Sequence, residues 1–186
     1  MDDAEFQSAE RFEVRQRFTM MVNRYEVWTS GQRVAIAQQK RMAFREQVML
    51  YADEERSVPL FGFKARSVVD LGATYDVTAA DGTPVGWFRK DFAQSFLRST
   101  WHLGQPGLGE CVGQERSQVV AIARRVLDSL PWPYHFDFQT PDGRPVMSVE
   151  RRFGLRDHYD VTVSDPTIDR RLVCAMAVGL DALQAR

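Results

Sequence analysis

The sequence has 186 residues, 44% hydrophobic and 26% charged, a composition that fits one folded domain and excludes a wholly disordered chain. Lysine and arginine number 24 and aspartate and glutamate 25, and this net charge of −1 disfavours a nucleic-acid-binding protein, which is normally clearly basic. The two cysteines, Cys111 and Cys174, cannot form a disulfide framework and fit a reducing compartment.

Residues 1–10 are predicted to be a flexible, frayed acidic tail, because they carry four acidic side chains and little apolar material. They lack the basic and apolar stretches of a signal peptide, so the expected location of the protein is the cytoplasm. We expect residues 11–186 to form a single domain.

From about Phe12 the chain has the composition of β-strands. Residues 18–22 and 25–28 are rich in aromatic and β-favouring side chains, and residues 33–38 alternate between polar and apolar side chains. No stretch between residues 12 and 105 shows a helical period over three turns. A mainly β protein is therefore predicted.

An internal repeat indicates hairpins. The segments Asp81-Gly-Thr-Pro-Val85 and Asp142-Gly-Arg-Pro-Val146 each follow a strand-like run, and a weaker copy ends at Gly31. Asp-Gly between two strands favours a type I′ turn, in which both central residues have positive φ. Proline lacks an amide hydrogen, so the proline of each copy is expected at the start of a strand.

A surface helix is predicted over residues 117–130. Its apolar side chains recur at helical spacing along one stripe, and polar side chains lie opposite them. Ser117 suits the N-cap position, and Pro131 ends the helix because the residue before proline is disfavoured in the α conformation.

The C-terminal segment predicts an enclosed helix. Residues 172–180 contain no polar side chain, and nine residues rise only about 13 Å against roughly 30 Å of membrane hydrocarbon. We expect Asp165 to cap this helix and several small residues to make it slim enough for a wide barrel. The predicted fold is a closed antiparallel barrel of about twelve strands around a central hydrophobic C-terminal helix.

Four segments carry a resemblance to a known family. They are Tyr75-Asp-Val-x-x-x-Asp-Gly-x-Pro-Val85, Phe96-Leu-Arg-Ser-Thr-Trp101, Asp157-x-Tyr-Asp-Val161 and Ile168-Asp-Arg-Arg-Leu-Val-Cys-Ala-Met-Ala-Val-Gly-Leu-Asp181. With these, the chain resembles the Tubby C-terminal-like superfamily, in particular the LURP-one-related and phospholipid-scramblase-like proteins. The resemblance implies a twelve-stranded barrel around a hydrophobic helix. It also implies phosphoinositide binding, membrane tethering or lipid scrambling as candidate roles. Residues 157–169 lack the acidic calcium pattern of the scramblases, so calcium regulation is not implied.

Catalytic and metal-binding motifs are missing from the sequence. His102, His135 and His158 are widely spaced, and no metal-ligand spacing or nucleophile motif is present. Gly107-x-Gly109 lacks the third small residue of a dinucleotide loop. We therefore expect no metal and no cofactor, and we do not expect an enzyme.

Basic charge is concentrated in the N-terminal strands, where residues 11–46 have a net charge of +5. This predicts a site for an anionic ligand at Arg33, Lys40, Arg41 and Arg45. The alternative is an ordinary solvated face that the acidic residues of the N-terminal tail neutralise.

Three functional hypotheses follow. The first is a non-catalytic module that binds anionic lipid headgroups, or a protein partner, at the inner membrane surface without a transmembrane segment. The second is a soluble interaction or scaffold domain that uses the predicted helix at residues 117–130. The third and weakest is an enzyme with its site at a barrel mouth.

Overall fold

The computed structural model describes residues 2–18, 22–40, 47–67, 74–91, 99–116, 135–152 and 158–184. These ranges contain helix α1 (Asp3–Ser8), twelve strands and helix α2 (Arg170–Gln184). The strands in chain order are β1 (Arg11–Phe18), β2 (Val22–Thr29), β3 (Gln32–Lys40), β4 (Gln47–Tyr51), β5 (Pro59–Ala65), β6 (Thr74–Ala79), β7 (Pro84–Asp91), β8 (Thr100–Gln105), β9 (Gly109–Glu115), β10 (His135–Gln139), β11 (Pro145–Arg152) and β12 (His158–Val163).

The twelve strands form one closed antiparallel barrel. Each strand pairs with its neighbours in the sequence, and β1 completes the ring by pairing with both β2 and β12. Val14, for example, lies opposite Val27 on one side and Tyr159 on the other. The predicted barrel is therefore confirmed.

Helix α2 lies inside this barrel. Residues 172–180 are all buried, and they pack against apolar side chains that point inward from the strands. The helix and the barrel wall approach each other most closely at glycines, where there is no room for a side chain. A Cβ at Gly179 would lie 2.8 Å from the Phe88 ring, and one at Gly86 would lie 2.9 Å from Leu172. The predicted enclosed helix is confirmed. Burial of a continuous apolar surface is the main stabilising contribution to such a core.

The start of α2 differs from the prediction. The helix begins at Arg170, and Asp169 caps it by accepting a hydrogen bond from the Arg171 amide at 2.8 Å. Asp165 instead accepts hydrogen bonds from the amide and hydroxyl of Thr167 in the preceding turn. Two distant glutamines select the later start, because Gln105 accepts from the Asp169 amide and Gln7 accepts from the Arg170 amide.

Replacing Asp169 by asparagine is expected to lower the free energy of unfolding by about 1–2 kcal/mol at neutral pH. Burial alone would raise the pKa of Asp169, but hydrogen bonds from Arg171 and Gln7 outweigh it and hold the pKa below its ordinary value of 3.8. The carboxylate therefore stabilises the fold above that ordinary value, and this contribution is lost as the pH falls through the lower pKa of the folded state. Urea unfolding at a series of pH values measures it. An asparagine variant with the same acid sensitivity as the original protein would contradict the assignment.

The repeated segments form the hairpins β2–β3, β6–β7 and β10–β11, with positive φ at the glycine of each turn. In the first hairpin Ser30 also has a positive φ of 49°, as a type I′ turn requires. Asp81 and Asp142 do not, so the type I′ prediction is wrong for the two Asp-Gly copies. In these two hairpins, β6–β7 and β10–β11, the glycine belongs to a tight turn, and the strand pairing shifts in register shortly before that turn. Pro84 and Pro145 begin strands, as predicted.

The acidic N-terminal segment contains structure where we expected a frayed tail. Asp2 caps α1 by accepting a hydrogen bond from the Glu5 amide, and Phe6 packs 5.5 Å from Phe12 and 6.2 Å from Phe61 between ring centroids. An apolar contact outweighed the polar composition of the segment. The predicted surface helix at residues 117–130 lies outside the described residues.

The two ends of the barrel differ. The turns at residues 30–31, 80–83, 106–108 and 140–144 lie at one end, together with α1 and the start of α2, and we call this the α1 end. At the other end, β3 finishes at Lys40 and the hydroxyls of Tyr25 and Tyr159 donate hydrogen bonds to Asp181 of α2.

Candidate functional site

Four of the arginines on the outer face of β1, β2 and β3 form the candidate site. Val14 and Tyr25 point into the core, so Arg15 and Arg24 beside them point outward, and Arg17 lies directly opposite Arg24 in the strand pairing. Arg33 lies opposite the outward-facing Trp28. We call the surface formed by Arg15, Arg17, Arg24 and Arg33 the arginine face.

A buried glutamate lies at the centre of the arginine face. The side chain of Glu26 is only 1% exposed, and its Oε1 lies 3.1 Å from Arg17 Nε and 3.9 Å from Arg33 Nη1. Trp28 donates a hydrogen bond from Nε1 to the other carboxylate oxygen at 3.2 Å. A buried carboxylate needs such compensation, so Glu26 is a structural part of this surface.

A second glutamate reaches the arginine face from the connection between β4 and β5. The two carboxylate oxygens of Glu54 contact different arginines, Oε2 with Arg24 Nη2 and Oε1 with Arg33 Nη1. Hydrogen bonds from these two guanidinium groups lower the pKa of Glu54. The carboxylate is therefore held ionised between two strands.

Arg15 completes the face. Its guanidinium pairs with Glu13 and lies 4.5 Å from the centre of the Trp28 ring, in cation–π geometry. The hydrogen bond from Arg15 lowers the pKa of Glu13. These four arginines contact three carboxylates, those of Glu13, Glu26 and Glu54, so one positive charge of this group is not balanced within it. Of the three carboxylates, Glu54 alone comes from outside residues 11–46, so it adds one negative charge to the count made along that segment.

The arrangement is suited to holding an oxyanion. Arginine presents a planar fork of donors that matches phosphate and carboxylate oxygens. The Glu54 carboxylate already occupies such a position, with one oxygen in contact with Arg24 and the other in contact with Arg33. Within the part of the chain that the structure describes, the buried Nε of Arg24 has no hydrogen-bond acceptor.

Of the four predicted site residues, the structure describes Arg33 and the backbone position of Lys40, both on β3. Arg33 lies on the arginine face near the α1 end, whereas Lys40 ends the same strand, about 23 Å away at a strand rise of about 3.3 Å per residue. Arg41 and Arg45 lie outside the described residues.

Sequence reasoning did not single out Arg17, Arg24 and Glu54 as site residues. Alternation along β1 and β2 places both arginines on the polar face, but the strand pairing is needed to bring them together.

Two cavities adjoin the arginine face at the α1 end. One, of about 350 Å³, lies between α1 and the strands and is lined by Arg33, by Arg171 and by apolar side chains such as Phe61. The other, of about 620 Å³, includes Arg15 and Trp28. Each cavity is lined by both acidic and basic side chains, so neither selects an ionic ligand by charge.

Other reactive groups are distributed singly. Burial raises the pKa values of the Cys111 and Cys174 thiols, which keeps them protonated. His102 Nδ1 lies 2.7 Å from a carboxylate oxygen of Glu110 on the outer surface. Within the described ranges, no group of three histidine, cysteine, aspartate or glutamate side chains could hold a metal ion.

Comparison with known proteins gives one match. A family model described as LURP-one-related matches residues 33–181, which includes most of β3, all of β4 to β12 and most of α2. No curated protein and no solved structure matches the chain at a significant level. Neither helix in the described part of the chain has the length and apolar character needed to span a bilayer.

Proposed function

Since this chain belongs to the LURP-one-related family, we propose that it is a non-catalytic binding module whose arginine face binds the phosphate groups of anionic lipid headgroups. The observation that carries the proposal is the pairing of Arg17 directly opposite Arg24, with Arg33 completing the group. The resemblance to Tubby C-terminal-like and scramblase-like proteins is part of the same proposal.

Electrostatics supports an anionic ligand at this place. Like charges directly opposite each other in a sheet are unfavourable, and among the described residues Glu26 and Glu54 are the carboxylates that pair with Arg17, Arg24 and Arg33. An anion near these groups relieves the repulsion. An anionic membrane surface attracts nearby basic residues by about 1 kcal/mol each, which suits reversible attachment.

The double substitution Arg24→Gln and Arg33→Gln is expected to weaken binding to anionic vesicles at least about fivefold, because it removes two guanidinium forks. These two arginines are chosen because their shared partner, Glu54, is 45% exposed and tolerates the loss of its ion pairs. Glu26 keeps Arg17 and Trp28. Vesicle flotation at low and high salt measures the effect, since binding through exposed charges weakens as salt rises.

A matched control is Arg89→Gln with Arg116→Gln, which changes the net charge equally. Arg89 on β7 pairs with Glu110 of β9, and Arg116, which follows β9, pairs with Asp137 and Glu150 of β10 and β11, so neither arginine belongs to the arginine face. This control is expected to bind like the original protein. Equal losses in both double variants would show attraction without a site. No vesicle binding by the original protein at low salt would refute the lipid proposal and favour a protein partner.

A further inference from the structure

We propose that Glu54 is a built-in competitor for the anion site, and that a doubly charged phosphate group binds by replacing its carboxylate between Arg24 and Arg33. This inference rests on the proposed function and adds the ligand class and the control of the same site. Its basis is the bridging geometry, in which one carboxylate contacts guanidinium groups from two neighbouring strands.

The two glutamates of the arginine face differ in a way that makes only Glu54 replaceable. Glu26 projects from the centre of β2 and is 1% exposed, so its carboxylate cannot leave without unpairing buried charge. Glu54 lies in the connection between β4 and β5 and is 45% exposed. Ion pairs at such exposure contribute little net stability, so a stronger anion can displace the carboxylate.

The loop that carries Glu54 holds its shape by other contacts. Asp53 accepts hydrogen bonds from the amide and hydroxyl of Ser57 and from the amide of Val58. These bonds lower the pKa of Asp53 to about 2, so they persist through the physiological range. Because the loop backbone does not depend on the Glu54 side chain, that side chain can swing away while the loop stays folded.

The chemistry of the competitor indicates the ligand class. To displace a carboxylate that already contacts two arginines, the ligand must carry more charge or more acceptor atoms. A phosphate monoester carries close to two negative charges at neutral pH and three acceptor oxygens, whereas a phosphodiester carries one charge. The buried Nε of Arg24 has no acceptor within the described chain, so the guanidinium retains an unused donor. We therefore infer a preference for phosphate monoesters.

The test compares Glu54→Gln with the adjacent Glu55→Gln, which changes the net charge equally. Glu55 is exposed and no ion pair of it is found within the described residues, so its substitution reports general electrostatics alone. Two probes are used separately at fixed ionic strength. One is neutral vesicles doped with phosphatidic acid, and the other is inorganic phosphate in solution. Glu54→Gln is expected to bind at least one of these probes about fivefold more tightly than the original protein, and Glu55→Gln less than twofold.

A third variant shows whether the gain needs the site. Adding Arg24→Gln and Arg33→Gln to Glu54→Gln is expected to abolish the increase, which excludes adhesion of a partly unfolded protein. A gain with inorganic phosphate supports the phosphate group itself as the ligand, and a gain with vesicles alone supports a lipid headgroup.

Equal binding by Glu54→Gln and Glu55→Gln would overturn the inference while the proposed function stands. Binding by none of the proteins would overturn both.

Discussion

Replacing Gly179 by alanine is expected to lower the free energy of unfolding by about 2–3 kcal/mol, although alanine is the better helix former by about 1 kcal/mol. The added Cβ would lie 2.8 and 2.9 Å from two carbons of the Phe88 ring. That ring cannot move aside, because it is fully buried and lies 5.2 Å from Phe63 and 5.3 Å from Tyr75 between centroids. The expected fall in Tm is roughly 5–10 °C, measured by thermal unfolding.

A double-mutant cycle with Phe88→Leu identifies the contact. Leucine at position 88 leaves a cavity and is destabilising alone, by about 1–3 kcal/mol. In the presence of Gly179→Ala, however, the smaller side chain makes room for the new methyl group. The double variant is therefore expected to lose at least about 1 kcal/mol less stability than the sum of the two single losses. An exposed helix would give the opposite sign for Gly179→Ala, namely stabilisation. Additive losses would show that the two residues do not touch.

The enclosure of α2 could be predicted because it depends on composition alone. Nine successive residues without a polar side chain exclude a surface helix, and their length excludes a membrane-spanning one. The hairpins could be predicted for a similar reason, since turn chemistry is local. The turn type could not, because the choice between type I′ and a bulged turn depends on how the two strands pair beyond Asp81 and Asp142.

The first residue of α2 illustrates a limit of local reasoning. Asp165 and Asp169 both suit an N-cap, and the sequence does not separate them. The structure favours Asp169 because two distant side chains form hydrogen bonds with it. These are Gln7 and Gln105, which lie 162 and 64 positions away in the sequence. Nothing in the sequence near residue 165 carries that information.

The arginine face shows the same limit for a site. Alternation predicts that Arg17 and Arg24 point outward, but only the register of β1 with β2 makes them neighbours. Conversely, Arg33 and Lys40 are close in the sequence and lie at opposite ends of one strand. The partner that neutralises Arg24 and Arg33 comes from the charged run at residues 53–56, which sequence patterns mark only as a turn. Charge counted along residues 11–46 therefore omits one carboxylate, that of Glu54, which the fold brings to the arginine face.

Replacing Arg170 by methionine is expected to lower the free energy of unfolding by about 3–5 kcal/mol. Arg170 is 3% exposed. Its guanidinium donates hydrogen bonds to backbone carbonyls just after α1 and in the turn just before α2. Nε donates to Ala9 at 2.9 Å, and Nη1 donates to Pro166 at 3.0 Å and to Ile168 at 2.6 Å. Methionine preserves the apolar stem and leaves these carbonyls without a donor, at a cost of about 1–3 kcal/mol for each group that stays buried.

Arg170→Lys separates the charge from the geometry. Burial lowers the pKa of Arg170 because it disfavours the charged form, and the hydrogen bonds of the guanidinium compensate for that burial. Lysine keeps the positive charge but cannot place donors at Ala9, Pro166 and Ile168 together, because its ammonium group is a single point. We expect about half the loss seen with methionine, measured by urea unfolding with an unchanged m-value. Full stability in the lysine variant would show that charge alone is sufficient, and a loss below about 1 kcal/mol in the methionine variant would show that Arg170 does not join α1 to the start of α2.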